Sequence, residues 1–242
     1  MSTLKARAKL TLSLRITGVR GDGYHLIDAE MISLDLADDI TIASGDDGIA
    51  VDGEFCDGVP TDDTNLVARA LKLAGVRAHV RITKNSPHGG GLGGGSTDAA
   101  AVLRWAGFTD VSAASRLGAD IPFCMVGGRA RVRGIGEIVE PLPQRDLDVT
   151  LVLPPIHAST PVVYAAWDAL GGPHADSGND LEPAALHAVP GLSAVRDRIA
   201  EVVKTPPMLA GSGSTWFVEG HHGELVSAMP DCRVVFTRAR TG

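Results

Sequence analysis

Residues 87–97 run Pro87, His88, Gly89, Gly90, Gly91, Leu92, Gly93, Gly94, Gly95, Ser96 and Thr97, with six glycines in the seven positions 89–95. Glycine in bulk lets backbone N–H groups approach a ligand closely and accept positive φ. Apolar spacing predicts a helix over 97–105, whose first N–H groups are unsatisfied and whose dipole favours an anion. Together these features make a phosphate cradle. A flexible linker would have the same composition. Here, however, Leu92 interrupts the run, and a strand predicted at 77–82 and the helix flank it. Ser96 and Thr97 could bond phosphate or help hold Mg²⁺, which normally accompanies ATP, and could equally be caps.

Three phosphate loops must be told apart. The Walker type needs Gly-Lys-Ser/Thr, and no lysine follows a glycine in this loop. The dinucleotide fingerprint matches formally at Gly89, Gly91 and Gly94, as it would in any glycine run. No acidic residue closes a second strand at the required distance. The third type has a proline ahead of Gly-Leu-Gly and small hydroxyl residues opening a helix.

The elements around the loop read as mixed α+β. Leu10, Leu12 and Leu14 alternate with polar residues, the period of a half-buried strand. A polar turn at 18–23 leads into Tyr24-His25. Strands follow at 31–36 and 40–43, bent at 37–39, with a turn at 45–48. A helix is predicted over 65–74, with Gly75 in the place of a C-terminal glycine. A short helix is expected to close at 115–117, and a strand at 130–135. Residues 141–146 form the candidate boundary between domains 1–145 and 146–242. Beyond it come a strand at 149–153 and a helix at 160–170, with Thr160 as cap and Pro161 in the first turn. A loop covers 171–179, and a helical stripe through Leu192, Val195, Ile199 and Val202 ends near Lys204. A Gly211-Ser212-Gly213 turn precedes an apolar strand, then a helix at 223–229 and a strand at 233–237 close the chain.

The 242 residues can bury a core without staples. The three cysteines show neither metal-ligand spacing nor a disulfide framework, which fits a reducing cytoplasm. The net charge of −7 argues against a nucleic-acid or membrane-surface binder. No signal peptide or membrane span is expected.

The segment from Gly91 to Ala100 resembles the phosphate loop of the GHMP kinases. Three glycines after the leucine resemble the branch that acts on a cytidine-diphosphate-linked alcohol. Ala8-Lys9-Leu10, Asp22-Gly23-Tyr24-His25, Leu117-Gly118-Ala119-Asp120, Gly134-Ile135-Gly136, Ser159-Thr160-Pro161, Asn179-Asp180 and Gly211-Ser212-Gly213 agree in order. The resemblance implies a two-lobed fold: an N-terminal β/α lobe with ribosomal-protein-like topology and a C-terminal ferredoxin-like lobe. It implies ATP-dependent phosphorylation of the 2-hydroxyl of 4-diphosphocytidyl-2-C-methyl-D-erythritol, by a monomer or homodimer.

The resemblance also assigns residues. Asp120 matches a catalytic aspartate that orients and deprotonates a hydroxyl, although a helix-capping aspartate reads the same in isolation. Lys9 matches a lysine that would keep Asp120 ionised, where a solvated strand lysine is the commoner use. Tyr24 and His25 match residues that stack on and hydrogen-bond a cytosine ring. Thr11, Ile135, Thr160 and Tyr164 match positions lining the substrate. Thr11 stands where the family usually has asparagine, and the 105–117 connection is short. Another GHMP kinase and a weak nucleotide-binding paralogue are therefore the competing readings. The pair His221-His222 reads as surface loop. Arg129, Arg131 and Arg133 read as one strand face, either solvated or lending positive potential to a cleft.

Overall fold

Two long antiparallel strands organise the first half of the molecule. β1 (Ser2–Val19) and β2 (His25–Ala43) pair along their whole length in this computed structural model, which describes residues 1–43, 47–87 and 89–239. The other edge of β2 is shared. β4 (His79–Lys84) takes residues 39–43, and β5 (Arg129–Gly134) takes residues 27–32. β3 (Gly48–Gly53) joins β4 in parallel, and β6 (Ile138–Pro141) closes the far edge beside β5. His88 and residues 45 and 46 of the turn expected at 45–48 lie outside the described residues.

The expected break between strands at 37–39 does not occur. β1 pairs straight through it, Arg7 with Ala37, Ala6 with Asp38 and Lys5 with Asp39. The acidic pair that reads as a bend is neutralised instead, Asp39 by Lys5 at 2.6 Å and Asp38 by the buried Lys84. The irregularity lies just ahead of it on β2, where residues 34–36 face the single Ala8 between the pairs Arg7–Ala37 and Lys9–Ser33.

The second sheet holds β7 (Leu147–Leu153), β8 (Met208–Leu209), β9 (Trp216–Glu219) and β10 (Arg233–Ala239), in the order β10-β7-β9-β8 and antiparallel throughout. Helices α5 (Thr160–Ala169), α6 (Glu182–Ala188) and α7 (Leu192–Val203) separate β7 from the β8–β9 pair. α8 (Glu224–Ala228) separates that pair from β10. This is the ferredoxin-like βαββαβ order. Ser159, not Thr160, is the N-cap of α5, and Thr160 is the first helical residue, beside Pro161. Its hydroxyl is therefore free for another partner.

Helices α1 (Leu66–Ala74), α2 (Gly94–Trp105), α3 (Val111–Ser115) and α4 (Ile121–Val126) belong to the first half. Asn65 caps α1 by accepting from the Val67 N–H, and Gly75 ends it in the left-handed conformation. α2 buries Ala99, Ala100 and Ala101, whose small side chains let it lie close to β1, α1 and α4. One core cluster packs these helices on the sheet. A second joins the opposite face of β1 and β2, through Ala8, Leu10, Ile32 and Leu34, to Val149, Leu151 and Phe217 of the second sheet. Leu92 belongs to this second cluster and is wholly buried. The residue that interrupts the glycine run thus anchors the loop between the two sheets.

Arg129, Arg131 and Arg133 are committed to Glu30, Asp28 and Glu140, so their face of β5 is neutralised. No helix among the described residues is long and apolar enough to cross a membrane.

Candidate active site

The glycine loop becomes a site through its backbone. Gly93 takes φ +71° and serves as N-cap of α2 with no side-chain cap, leaving the first helical N–H groups for an outside acceptor. Beside it, the bulge of β2 at residues 34–36 breaks the ladder next to Lys9, and the Lys9 N–H bonds the Leu92 carbonyl at 3.0 Å. A bulge that re-aims a strand residue in this way is a common device beside active sites. The stem of Lys9 then lies along Gly93, where an added Cβ would meet Lys9 Cγ at 2.8 Å. Glycine at 93 therefore serves both the backbone turn and the lysine.

Lys9 Nζ reaches Asp120 Oδ2 at 3.3 Å and donates to Thr11 Oγ1 at 3.3 Å. Asp120 occupies the N-cap position of α4, but its side chain makes no capping bond and is left for the lysine. The turn after β5 presses on the preceding residue: a Cβ at Gly136 would lie 2.2 Å from the Ala119 carbonyl. Burial pushes the nearby Cys124 thiol far up, which keeps it protonated.

A cavity of about 730 Å³ holds this group. Its wall includes Gly89, Gly91, Gly93, Gly94, Gly95 and Ser96 of the loop, with Lys9, Thr11 and Asp120. Tyr24, His25, Ile135, Thr160 and Tyr164 line the same space. Pro87, Gly90, Leu92 and Thr97 do not. Thr97 is buried and its hydroxyl turns back to the Gly94 carbonyl at 2.8 Å, so it braces the helix start. Tyr24 is half exposed, with the Arg20 guanidinium 5.4 Å from its ring centre. Burial, and then the negative charge of Asp120, push the Tyr164 hydroxyl well above its ordinary range, so it remains a neutral phenol.

Three supports of the site were not assigned from sequence. First, Asn179 holds the Gly211 turn through bonds from Nδ2 to the Leu209 and Gly211 carbonyls at 2.9 and 2.7 Å. That turn closes one wall of the cavity, with Ser212 Oγ 2.8 Å from Thr160 Oγ1. The segment carrying Asn179 is tied to β1 by backbone bonds on either side of Leu14. The Asn-Asp pair within the series of motifs was the available signal. Second, Lys84 sits beneath the loop, between Asp38 and Asp98, with its Nζ 3.1 Å from where a Cβ on Gly94 would stand. Asp38 also accepts from the N–H groups of Asn85 and Ser86 at 2.6 and 2.8 Å. Burial pushes Asp98 up to about 7, against the pull of Lys84. Burial alone would lower Lys84, but the two carboxylates override it and raise it. Third, Asp168 lies 2.8 Å from His25 Nε2.

Comparison with known proteins gives the class first. Residues 64–128 match the model of the GHMP kinases N terminal domain. The fold also aligns with mevalonate kinase from L. major at a TM-score of 0.65 and 12% identity, over 100% of this chain and 97% of that one. The molecule is a GHMP kinase by fold and by its loop. More closely, a 4-diphosphocytidyl-2-C-methyl-D-erythritol kinase from Paracoccus denitrificans is 40% identical over 88% of this chain and 84% of its own length. A crystal structure of 4-(cytidine 5'-diphospho)-2C-methyl-D-erythritol kinase superposes with a TM-score of 0.80 at 28% identity, over 100% of both chains. The chain belongs to the 4-diphosphocytidyl-2-C-methyl-D-erythritol kinase family.

Proposed function

We propose that this chain transfers the terminal phosphoryl group of ATP to the 2-hydroxyl of 4-diphosphocytidyl-2-C-methyl-D-erythritol, a step on the non-mevalonate route to isoprenoid precursors. One observation carries the reading: Lys9 packs along Gly93 of the glycine loop and also reaches Asp120 at 3.3 Å. An anion on the loop and a hydroxyl at Asp120 would then lie on either side of one ammonium.

In this reading the N–H groups of residues 93–96 bind the phosphates. Asp120 accepts the proton of the substrate hydroxyl as its oxygen bonds to the terminal phosphorus. The bond from that phosphorus to the bridging oxygen breaks, and ADP leaves. Lys9 holds the Asp120 carboxylate in place and offsets charge on the group in transfer. Tyr24 and His25 hold the cytosine from one side of the cavity, with Tyr164 behind His25. Thr11 and Thr160 stand where the acceptor alcohol would lie. Mg²⁺ takes oxygen ligands. The Ser96 hydroxyl and the Asp120 carboxylate are oxygen donors on the cavity wall that fit it, and bound there it would neutralise phosphate charge. Three unpaired thiols accord with a cytoplasmic location.

The test is ADP release coupled to a reporter, with the cytidine-linked alcohol and Mg²⁺. Turnover with that alcohol and not with mevalonate-type acids is the expected result. Turnover only with another small alcohol would move the chain to a different GHMP activity. Nucleotide binding with no product from any alcohol would leave a binding paralogue, for which the replacement of asparagine by Thr11 would be the first suspect.

A further inference from the structure

One face of α5 is devoted to a single imidazole. Tyr164, Trp167 and Asp168 are spaced i, i+3 and i+4, so they share one side of the helix. The His25 ring lies 4.7 Å from Tyr164 at a 39° tilt and meets Trp167 edge-on at 5.5 Å. Its Nε2 is 2.8 Å from Asp168 Oδ1. The His25 side chain is 10% exposed and the Asp168 side chain 51%. The Trp167 indole N–H is committed to the Pro173 carbonyl at 2.9 Å and does not compete. Among the described residues no other side-chain hydrogen bond reaches the imidazole. Two aromatic contacts fix where the ring lies, and one carboxylate fixes which nitrogen carries the proton.

We propose that Asp168 is a positioning residue for base recognition, holding the Nε2 proton of His25 so that Nδ1 accepts from an amino-bearing pyrimidine and disfavours a keto-bearing one. This rests on the cytidine reading given above. An ionised carboxylate only accepts hydrogen bonds, so the proton of the neutral imidazole stays on Nε2, and the other nitrogen becomes an acceptor. Cytosine presents an exocyclic amino donor where uracil presents a carbonyl acceptor. Nδ1 can bond the first, whereas with the second two lone pairs face each other. A site built to hydrogen-bond one ligand rejects an analogue that leaves its polar group unpaired. His25 would touch the base, and Asp168 acts through it.

The experiment compares cytidine- and uridine-linked alcohols as substrates of the wild-type enzyme, Asp168→Ala and Asp168→Asn. Loss of one neutral hydrogen bond corresponds to roughly a five- to tenfold change. Asp168→Ala is expected to raise KM for the cytidine substrate by about that factor while kcat holds, and to shrink the preference for cytidine over uridine alike. Asp168→Asn, whose amide oxygen still accepts, recovers most of that loss. Independently, ¹⁵N spectra of the ligand-free wild-type enzyme at pH 8 report the tautomer, with the His25 signals assigned by their loss in His25→Gln. An Nε2–H tautomer in wild type that becomes mixed in Asp168→Ala supports the proposal. An Nδ1–H tautomer in wild type overturns it, as does an unchanged KM ratio in Asp168→Ala. If the wild-type enzyme turns over neither alcohol, the kinase assignment fails, and the spectra still judge the tautomer.

Discussion

Lys9 and Lys84 are both buried lysines beside the glycine loop, yet their surroundings differ. Lys84 has two carboxylate partners, and all three side chains are sealed, at 1%, 0% and 3% exposure. Lys9 is nearly as buried at 6%, but its partner Asp120 is 31% exposed and the pair is 3.3 Å apart. The sealed set has no access to substrate and can only support the loop. The open pair has an oxygen facing the cavity and room for a hydroxyl. The same two residue types thus form a sealed scaffold or, in the function proposed above, a reactive pair, according to whether water, and so substrate, can enter.

The largest expected effect breaks the open pair. Asp120→Asn should lower the rate of ADP formation by about 10²–10⁴-fold, the usual worth of a positioned base. Its thermal midpoint should stay near that of wild type. Unchanged turnover would remove Asp120 from the chemistry. Next comes the sealed set. Lys84→Met leaves two buried carboxylates without a counter-charge, and loss of about 3–5 kcal/mol of stability in urea unfolding is expected. Lys9→Met should cost distinctly less stability, because Asp120 keeps contact with water, and equal losses in the two variants would erase the contrast. The smallest effect concerns Asp98, whose carboxyl is pushed up to about 7. The folded chain therefore holds a proton that the unfolded chain has released, and this contribution to stability falls as pH rises from about 4 to about 7. Asp98→Asn removes that fall. Relative to wild type it should gain several degrees in Tm at pH 8 over pH 4.5, at about 2–4 °C for each kcal/mol in a chain of this size. Parallel melting curves at both pH values would show that Asp98 is ionised in the fold.

Local punctuation made much of this molecule readable from its sequence. Asn65 and Gly75 bound α1 by side-chain and backbone rules that act within a few residues. The glycine loop announces itself by composition. What stayed hidden depends on distant partners. Asp38 reads as part of a bend until Lys84, 46 residues away, neutralises it and lets β2 continue. Asp168 meets His25 across 143 residues, with no local pattern to mark it. Strand β3 is half-buried from Gly48 to Asp52 and shows no alternation to detect. Helix α4 spans only six residues, too few for a period. Thr160 satisfies the composition rule for a cap, but Ser159 fills that place one residue earlier.

Gly91 has a mechanical consequence. A Cβ there would stand 2.0 Å from the Ala210 carbonyl, and the adjacent Gly90 carbonyl accepts from the Thr215 N–H at 3.3 Å. The loop is therefore pressed directly onto the turn between β8 and β9, with no room for a side chain between them. Any residue larger than glycine at 91 would push the two apart and shift the cavity wall that Gly89, Gly91 and Gly211 share.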